Sequence, residues 1–132
     1  MIPVELIKKA VAARGFGYAP YSDYLVGAAL LCDDGSVFTG CNVENASYGA
    51  TLCAERAAAA KAVSFGYTSF SAIAIAGGRR QQGIVQTCPP CGICLQFLSE
   101  FCKEDTPIYI ATGGNDYEEY KFKNFMPISF SL

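Results

Sequence analysis

The sequence contains no histidine and no tryptophan. Without imidazole, a Ser-His triad, a histidine general base and a His-ligated metal centre are all excluded by inventory. Charge is scarce too: charged residues make up 17% of the chain against 52% hydrophobic, the balance of a well-packed globule rather than a disordered segment. Ten Lys and Arg against twelve Asp and Glu leave a formal charge of −2. That is a poor basis for gripping a phosphate backbone, whose affinity rests on many cationic contacts. The basic residues are scattered, and only Lys8-Lys9 and Arg79-Arg80 are adjacent. No apolar run approaches the ~18 to 20 residues that span a bilayer. The opening Met1-Ile2-Pro3-Val4-Glu5 has no basic stretch ahead of an apolar run of signal-peptide length. A soluble, cytoplasmic protein without nucleic-acid or membrane partners is expected, folded as a single domain over residues 1–132.

What the chain does have is cysteine. Seven of them, an odd number in a chain expected to stay in a reducing compartment, read as thiols or metal ligands rather than a disulfide framework.

The pattern of apolar residues predicts the order αββαβαββ. Val4 to Arg14 reads as an amphipathic helix with Pro3 in its first turn and Gly15 as its stop. Val26 to Cys32 and Val37 to Val43 read as strands joined into a hairpin by Asp33-Asp34-Gly35-Ser36. An Ala-rich helix follows through Ala54 to Val63, then a short buried strand from Ser71 to Ala76 and a polar loop from Gly77 to Gln86. Pro89-Pro90 precedes a helix expected from Cys91 to Cys102; Pro107 to Ala111 and Tyr117 to Lys121 complete the strands. The simplest packing is a three-layer α/β/α domain around a five-stranded mixed sheet.

Cys53-Ala54-Glu55-Arg56 and the later Pro90-Cys91-Gly92-Ile93-Cys94 concentrate the chemistry. Cys91 and Cys94, three apart at a helix start, can aim both sulfurs at one point. Partial positive charge at a helix N-terminus favours the thiolate form that zinc binds. Cys53, at the start of the preceding helix, can supply a third ligand. Residues two apart on an ideal helix point about 200° away from each other, so Cys53 and Glu55 share a site only if Cys53 lies at an irregular helix start. Three protein ligands leave the fourth tetrahedral position of a zinc ion for water, the arrangement of a catalytic rather than a structural site. Glu55 is the candidate proton shuttle, and Arg56 is placed to offset the negative charge of three thiolates. A zinc ribbon asks for a fourth Cys or His ligand, and a redox pair asks for neither the Glu nor a distant third Cys. Cys32, Cys41 and Cys102 read as ordinary core thiols, whereas Cys88, near the ligand loop, is open to a substitute-ligand role.

These motifs, with Tyr21-Ser22, the run Val26 to Leu30, the segment Gly40-Cys41-Asn42-Val43-Glu44-Asn45-Ala46, Met126-Pro127 and Phe130, closely resemble the small homotetrameric, zinc-dependent cytidine deaminases. The resemblance implies that Asn42 and Glu44 hydrogen-bond the ribose and that the Ala54 backbone meets the pyrimidine. It places Tyr24 against the nucleoside. Ala46, Tyr48 and Phe130 are implied to complete sites across a homotetramer with shared active sites. Three positions depart from the family pattern: Tyr24 stands for Phe, Leu95 for Arg after the second Cys, and Pro89 for a small polar residue. The implied activity is hydrolytic deamination of cytidine and deoxycytidine to uridine and deoxyuridine with release of ammonia, a step of pyrimidine salvage. A deaminase of nucleoside antibiotics or polynucleotides, and a non-enzymatic zinc-stabilised binding protein, are the alternatives.

Overall fold

The computed structural model describes residues 3–84 and 87–132; Met1, Ile2 and the end of the expected polar loop, Val85 and Gln86, lie outside the described residues. In chain order the elements are α1 (Pro3–Arg14), β1 (Tyr24–Cys32), β2 (Val37–Cys41), a single 3-10 turn (Tyr48–Ala50), α2 (Ala54–Ser64), β3 (Phe70–Arg79), α3 (Gly92–Leu98), β4 (Pro107–Gly113), β5 (Asp116–Lys121) and a short α4 (Phe122–Phe125). The sheet order is β2-β1-β3-β4-β5, with β3 and β4 parallel and every other neighbouring pair antiparallel. It is therefore the expected five-stranded mixed sheet, with helices on both faces.

The period-2 pattern of β3 sets the two layers. Ile73 and Ile75 point to the face covered by Ala54, Ala58, Ala59 and Ala62 of α2 and Leu95 and Leu98 of α3. Ala72, Ala74 and Ala76 point to the other face, where Leu6, Ile7 and Ala10 of α1 pack. Small side chains on that second face let α1 come close. The closest approach is at Gly27, where an added Cβ would lie 2.0 Å from the Ala10 carbonyl oxygen and 2.3 Å from the Arg14 nitrogen.

Topology then decides where the helix starts fall. Helix α2 closes at Gly66 (φ +94), with Tyr67 N–H donating to the Ala62 carbonyl and Gly66 N–H to that of Val63, and the chain turns back into β3. The first residue of α2 therefore sits at the end of the sheet where β3 finishes. Helix α3 follows β3 and starts at that same end. Crevices outside the carboxyl ends of strands are where open α/β sheets bind ligands.

Several boundaries differ from the sequence reading by a residue or two and the short α4 is additional; three differences have a clear physical cause. Gly77 and Gly78 are strand rather than loop, pairing with Val26 and Leu25 of β1. Their missing side chains make room for the following segment: a Cβ at Gly78 would lie 2.0 Å from the Gly83 carbonyl oxygen. Helix α3 stops at Leu98 instead of Cys102, because Phe101 turns back to accept a hydrogen bond from Phe70 N–H and to stack on Phe70 at 5.4 Å. Strand β2 ends at Cys41, and Val43 leaves it to bridge Tyr18 and Leu52.

The substitution Gly27→Ala tests the α1 contact. Backbone atoms of α1 cannot yield as a flexible side chain would, so a loss of about 1–3 kcal/mol is expected in urea unfolding. An unchanged unfolding midpoint would contradict the packing described.

Candidate active site

Cys53 is the N-cap of α2 and Cys91 the N-cap of α3, both in extended conformation (φ −76, ψ 152 and φ −80, ψ 168). Cys53 thus occupies the irregular helix start that its two-residue spacing from Glu55 requires. Cys94 lies one turn into α3 and is fully buried. The Cys53 and Cys91 sulfurs are 3.7 Å apart, those of Cys91 and Cys94 3.3 Å, and all three lie within 4.8 Å of one another. Sulfurs bound to a tetrahedral zinc at ~2.3 Å stand about 3.8 Å apart, so both the spacing and the soft thiolate donors suit that ion.

Glu55, in the first turn of α2, is buried at 4% exposure. Burial pushes its carboxyl up to about 7; charge on Cys53 adds to this, while the residue's own backbone amide and hydrogen bonding with Cys94 work the other way. A carboxyl group held near neutrality suits proton transfer in both directions. The Cys53 thiol is lowered to about 5, chiefly by its hydrogen bond with Cys94 and also by Arg56, and that same bond to Cys53 drives Cys94 upward.

Arg56 flanks Cys53. Its Nη2 donates to the Thr51 carbonyl (2.9 Å) and to Cys53 Sγ (3.9 Å), while its buried Nε has no partner among the described residues. Leu95, where the resembling family carries Arg, is a core residue at 7% exposure packed beneath α2. The cation reaching the thiols is thus Arg56.

A cavity of about 180 Å³ opens onto Cys53, Ala54, Glu55 and Cys91, with Asn42, Glu44, Thr51 and Cys88 among its other walls. Asn42 is 8% exposed, its Oδ1 accepting from Val26 N–H (2.9 Å) and its Nδ2 donating to the Tyr24 carbonyl (2.8 Å). Glu44 accepts from the N–H groups of Tyr21 (3.1 Å) and Ser22 (3.2 Å) and from the Ser22 hydroxyl, whose bond keeps the carboxylate below its usual range. Both residues therefore anchor the 18–24 segment. An amide can make four hydrogen bonds and a carboxylate accepts about as many, so capacity remains for a ligand hydroxyl.

The other residues singled out from the sequence are less central in this chain. Ala46 and the 89%-exposed Tyr48 line an adjoining cavity of about 370 Å³ that shares Glu44 and Thr51 with the first. Phe130 is exposed and outside both cavities, with its carbonyl accepting from Gln96 Nε2 (3.2 Å). Half-buried Tyr24 meets Cys88, a wall of the cavity, over Gly77, where an added Cβ would lie 2.7 Å from Cys88 Sγ and 3.2 Å from Tyr24 Cε1. The thiol of Cys88 is itself pushed up to about 11, mainly by burial.

Two cavity features go beyond the sequence reading, which gave Ser22 no role and left Cys88 open as a substitute ligand. Ser22 is the hub joining Glu44 to the Tyr24 N–H, which donates to its Oγ at 3.0 Å. Cys88 stands three residues before Cys91, so Cys88-Pro89-Pro90-Cys91 forms a second Cys-x-x-Cys overlapping the ligand pair, a spacing that marks the residue. Among the described residues, however, the close sulfur cluster is Cys53, Cys91 and Cys94, with Cys88 outside it. A larger cavity of about 510 Å³, between α1 and α2, carries Lys9 and Lys61 but no carboxylate, and lies away from this chemistry.

The chain belongs to the family described as the cytidine and deoxycytidylate deaminase zinc-binding region, which matches residues 3–110. The cytidine deaminase of Halalkalibacterium halodurans is 44% identical over 126 residues, covering 96% of this chain and 92% of its own. That of Sporosarcina psychrophila is 43% identical over 127 residues, covering 96% and 90%. The crystal structure of cytidine deaminase from Burkholderia pseudomallei matches with a TM-score of 0.88 at 41% identity, over 98% of this chain and 100% of its own. The enzyme from Mycobacterium tuberculosis matches with a TM-score of 0.80 at 38% identity, over 97% and 96%.

Proposed function

We propose that this chain is a zinc-dependent cytidine deaminase, hydrolysing cytidine and deoxycytidine to uridine and deoxyuridine with release of ammonia, in pyrimidine salvage. The observation that carries the reading is the buried Glu55, held near neutrality beside three converging thiols on the wall of one cavity. A non-enzymatic zinc protein has no need of such a group. A free nucleoside is preferred over a polynucleotide, because a 3′-phosphodiester would meet the Glu44 carboxylate and a chain of net charge −2.

In this reading Cys53, Cys91 and Cys94 hold one zinc ion, which supplies the Lewis acidity that activates water near neutral pH. Glu55 takes a proton from water and delivers it to ring N3, then a second to the amino group as it leaves C4. The C4–N bond breaks, a C4–O bond forms, and protons are conserved through the one carboxyl group. The buried wall around Glu55 keeps bulk water from competing for that proton. The Ala54 backbone orients the pyrimidine, Tyr24 packs against the nucleoside, and Asn42 and Glu44 bind the ribose hydroxyls. Arg56 offsets the charge of the thiolates.

We further infer a single domain over residues 1–132, working in the cytoplasm as a homotetramer. Among the described residues no helix is long and apolar enough to cross a membrane. Tyr48, Ile128 and Phe130, at 89%, 92% and 68% exposure, support an assembly that covers them. In it, Ala46, Tyr48 and Phe130 serve a neighbouring subunit's substrate.

Glu55→Gln tests the activity. Loss of cytidine absorbance is expected to slow by about 10²–10⁴-fold with zinc content unchanged. Full turnover by that variant would remove the proton shuttle, and an inactive zinc-loaded wild type would remove the function. Multi-angle light scattering is expected to return four chains per particle; an active monomer would contradict the shared sites.

A further inference from the structure

We propose that Ser22 is a positioning residue for the sugar of the substrate, acting by holding the Glu44 carboxylate in one orientation with Oε2 left to accept a ligand hydroxyl. The inference rests on the proposed deaminase reading, in which Glu44 binds the ribose, and adds to it the residue that aims that group.

The hydrogen bonds around Glu44 divide unequally between its two oxygens. Oε1 accepts from the N–H groups of Tyr21 (3.1 Å) and Ser22 (3.2 Å), while Oε2 accepts from the Ser22 hydroxyl. Each carboxylate oxygen offers about two acceptor positions, so these bonds fill Oε1 and leave one position on Oε2. The hydroxyl cannot turn the other way. An ionised carboxylate only accepts, and Ser22 Oγ itself accepts from the Tyr24 N–H at 3.0 Å. The proton of Ser22 is therefore committed to Glu44, and the amide behind it strengthens the hydroxyl as a donor.

Its place in the fold separates this role from direct binding. Glu44 and Thr51 are walls of both the 180 Å³ cavity that opens onto Glu55 and the adjoining 370 Å³ cavity, whereas Ser22 lines only the second. Ser22 is thus outside the cavity that holds Glu55 and acts on it through Glu44. Its hydroxyl is also the main cause holding the Glu44 carboxyl below its usual range, so the group meets a ligand as an anion. Such an acceptor favours a hydroxyl on the sugar and disfavours a phosphate there. Without the Ser22 hydroxyl, Oε2 loses its tether and the carboxylate can pivot about its Oε1 contacts. The loss falls on substrate binding more than on the chemical step, because Glu55, Cys53 and Cys91 line a cavity that Ser22 does not reach.

The experiment uses zinc-loaded protein with four variants: Ser22→Ala, Ser22→Thr, Glu44→Gln and the Ser22→Ala/Glu44→Gln double. Cytidine and 2′,3′-dideoxycytidine are the substrates. Ser22→Ala is expected to raise KM for cytidine about tenfold, as loss of a hydrogen bond to a charged group does, with kcat within about twofold. Ser22→Thr keeps the hydroxyl and is expected to restore KM to within about twofold of wild type. For dideoxycytidine, which lacks both ring hydroxyls, the Ser22→Ala penalty in kcat/KM is expected to shrink to about twofold or less. The double variant is expected to be no worse than Glu44→Gln alone, since Ser22 acts through that group. An unchanged KM in Ser22→Ala, an unrescued Ser22→Thr, an equal penalty on both substrates or strictly additive effects would overturn the inference. If wild type itself fails to turn over cytidine, the deaminase reading fails. The hold of Ser22 on Glu44 is then read from the carbon NMR titration of the Glu44 carboxyl. Ser22→Ala is expected to move that titration to higher pH, and an unmoved titration would overturn the inference.

Discussion

Two helices can bring their N-termini to one point only if the strand between them leads away from one helix's end and into the other's start. β3 does this. It receives the chain from α2 and hands it to α3, so Cys53 and Cys91 both fall at the end of the sheet where β3 finishes. The arrangement holds because the face of β3 under these helices is Ile73 and Ile75, matched by the Ala row of α2. It also requires β2 to tolerate α2 closely: a Cβ at Gly40 would lie 2.5 Å from the Ala58 nitrogen. The thiol cluster, the burial of Glu55 and the cavity beside them all follow from this crossing.

Charge at the site is then a local balance. Three thiols and a carboxyl group share a small volume, and burial, with the charge on Cys53 adding to it, pushes the Glu55 carboxyl up to about 7. Arg56 offsets this negative group from its flank, anchored on the Thr51 carbonyl. With Leu95 committed to the core, removing Arg56 would leave the thiol cluster without its guanidinium. The wall formed by Asn42 and Glu44 is built differently. Asn42 and Glu44 are first of all braces for the 18–24 segment, and their capacity for a ligand is what remains after that bracing.

The convergence of the three thiols was legible in the sequence because it depends on residue types at short spacings. Cys53 and Glu55, two apart, demanded a helix start between them, and the extended N-cap supplies it. The alternation of Ile and Ala in β3 and the Asp34-Gly35 turn likewise fix local geometry before any long-range contact forms. What was not legible depends on partners distant in sequence. Gly77 and Gly78 look like loop residues, yet they are strand because Tyr24, Cys88 and Gly83 press on them. Helix α3 loses its last turn to the pull of Phe70 on Phe101. Tyr24 and Cys88 meet over Gly77 from positions far apart in the chain, so no pattern within one segment announces it.

The central claim is that three thiols, and not four, surround the metal, leaving one position for the chemistry. Zinc-edge X-ray absorption of the zinc-loaded protein measures this directly. The expected result is three sulfur neighbours at about 2.3 Å and one oxygen or nitrogen neighbour at about 2.0 Å. Four sulfur neighbours would describe a closed structural site with Cys88 drawn in, and would contradict the account.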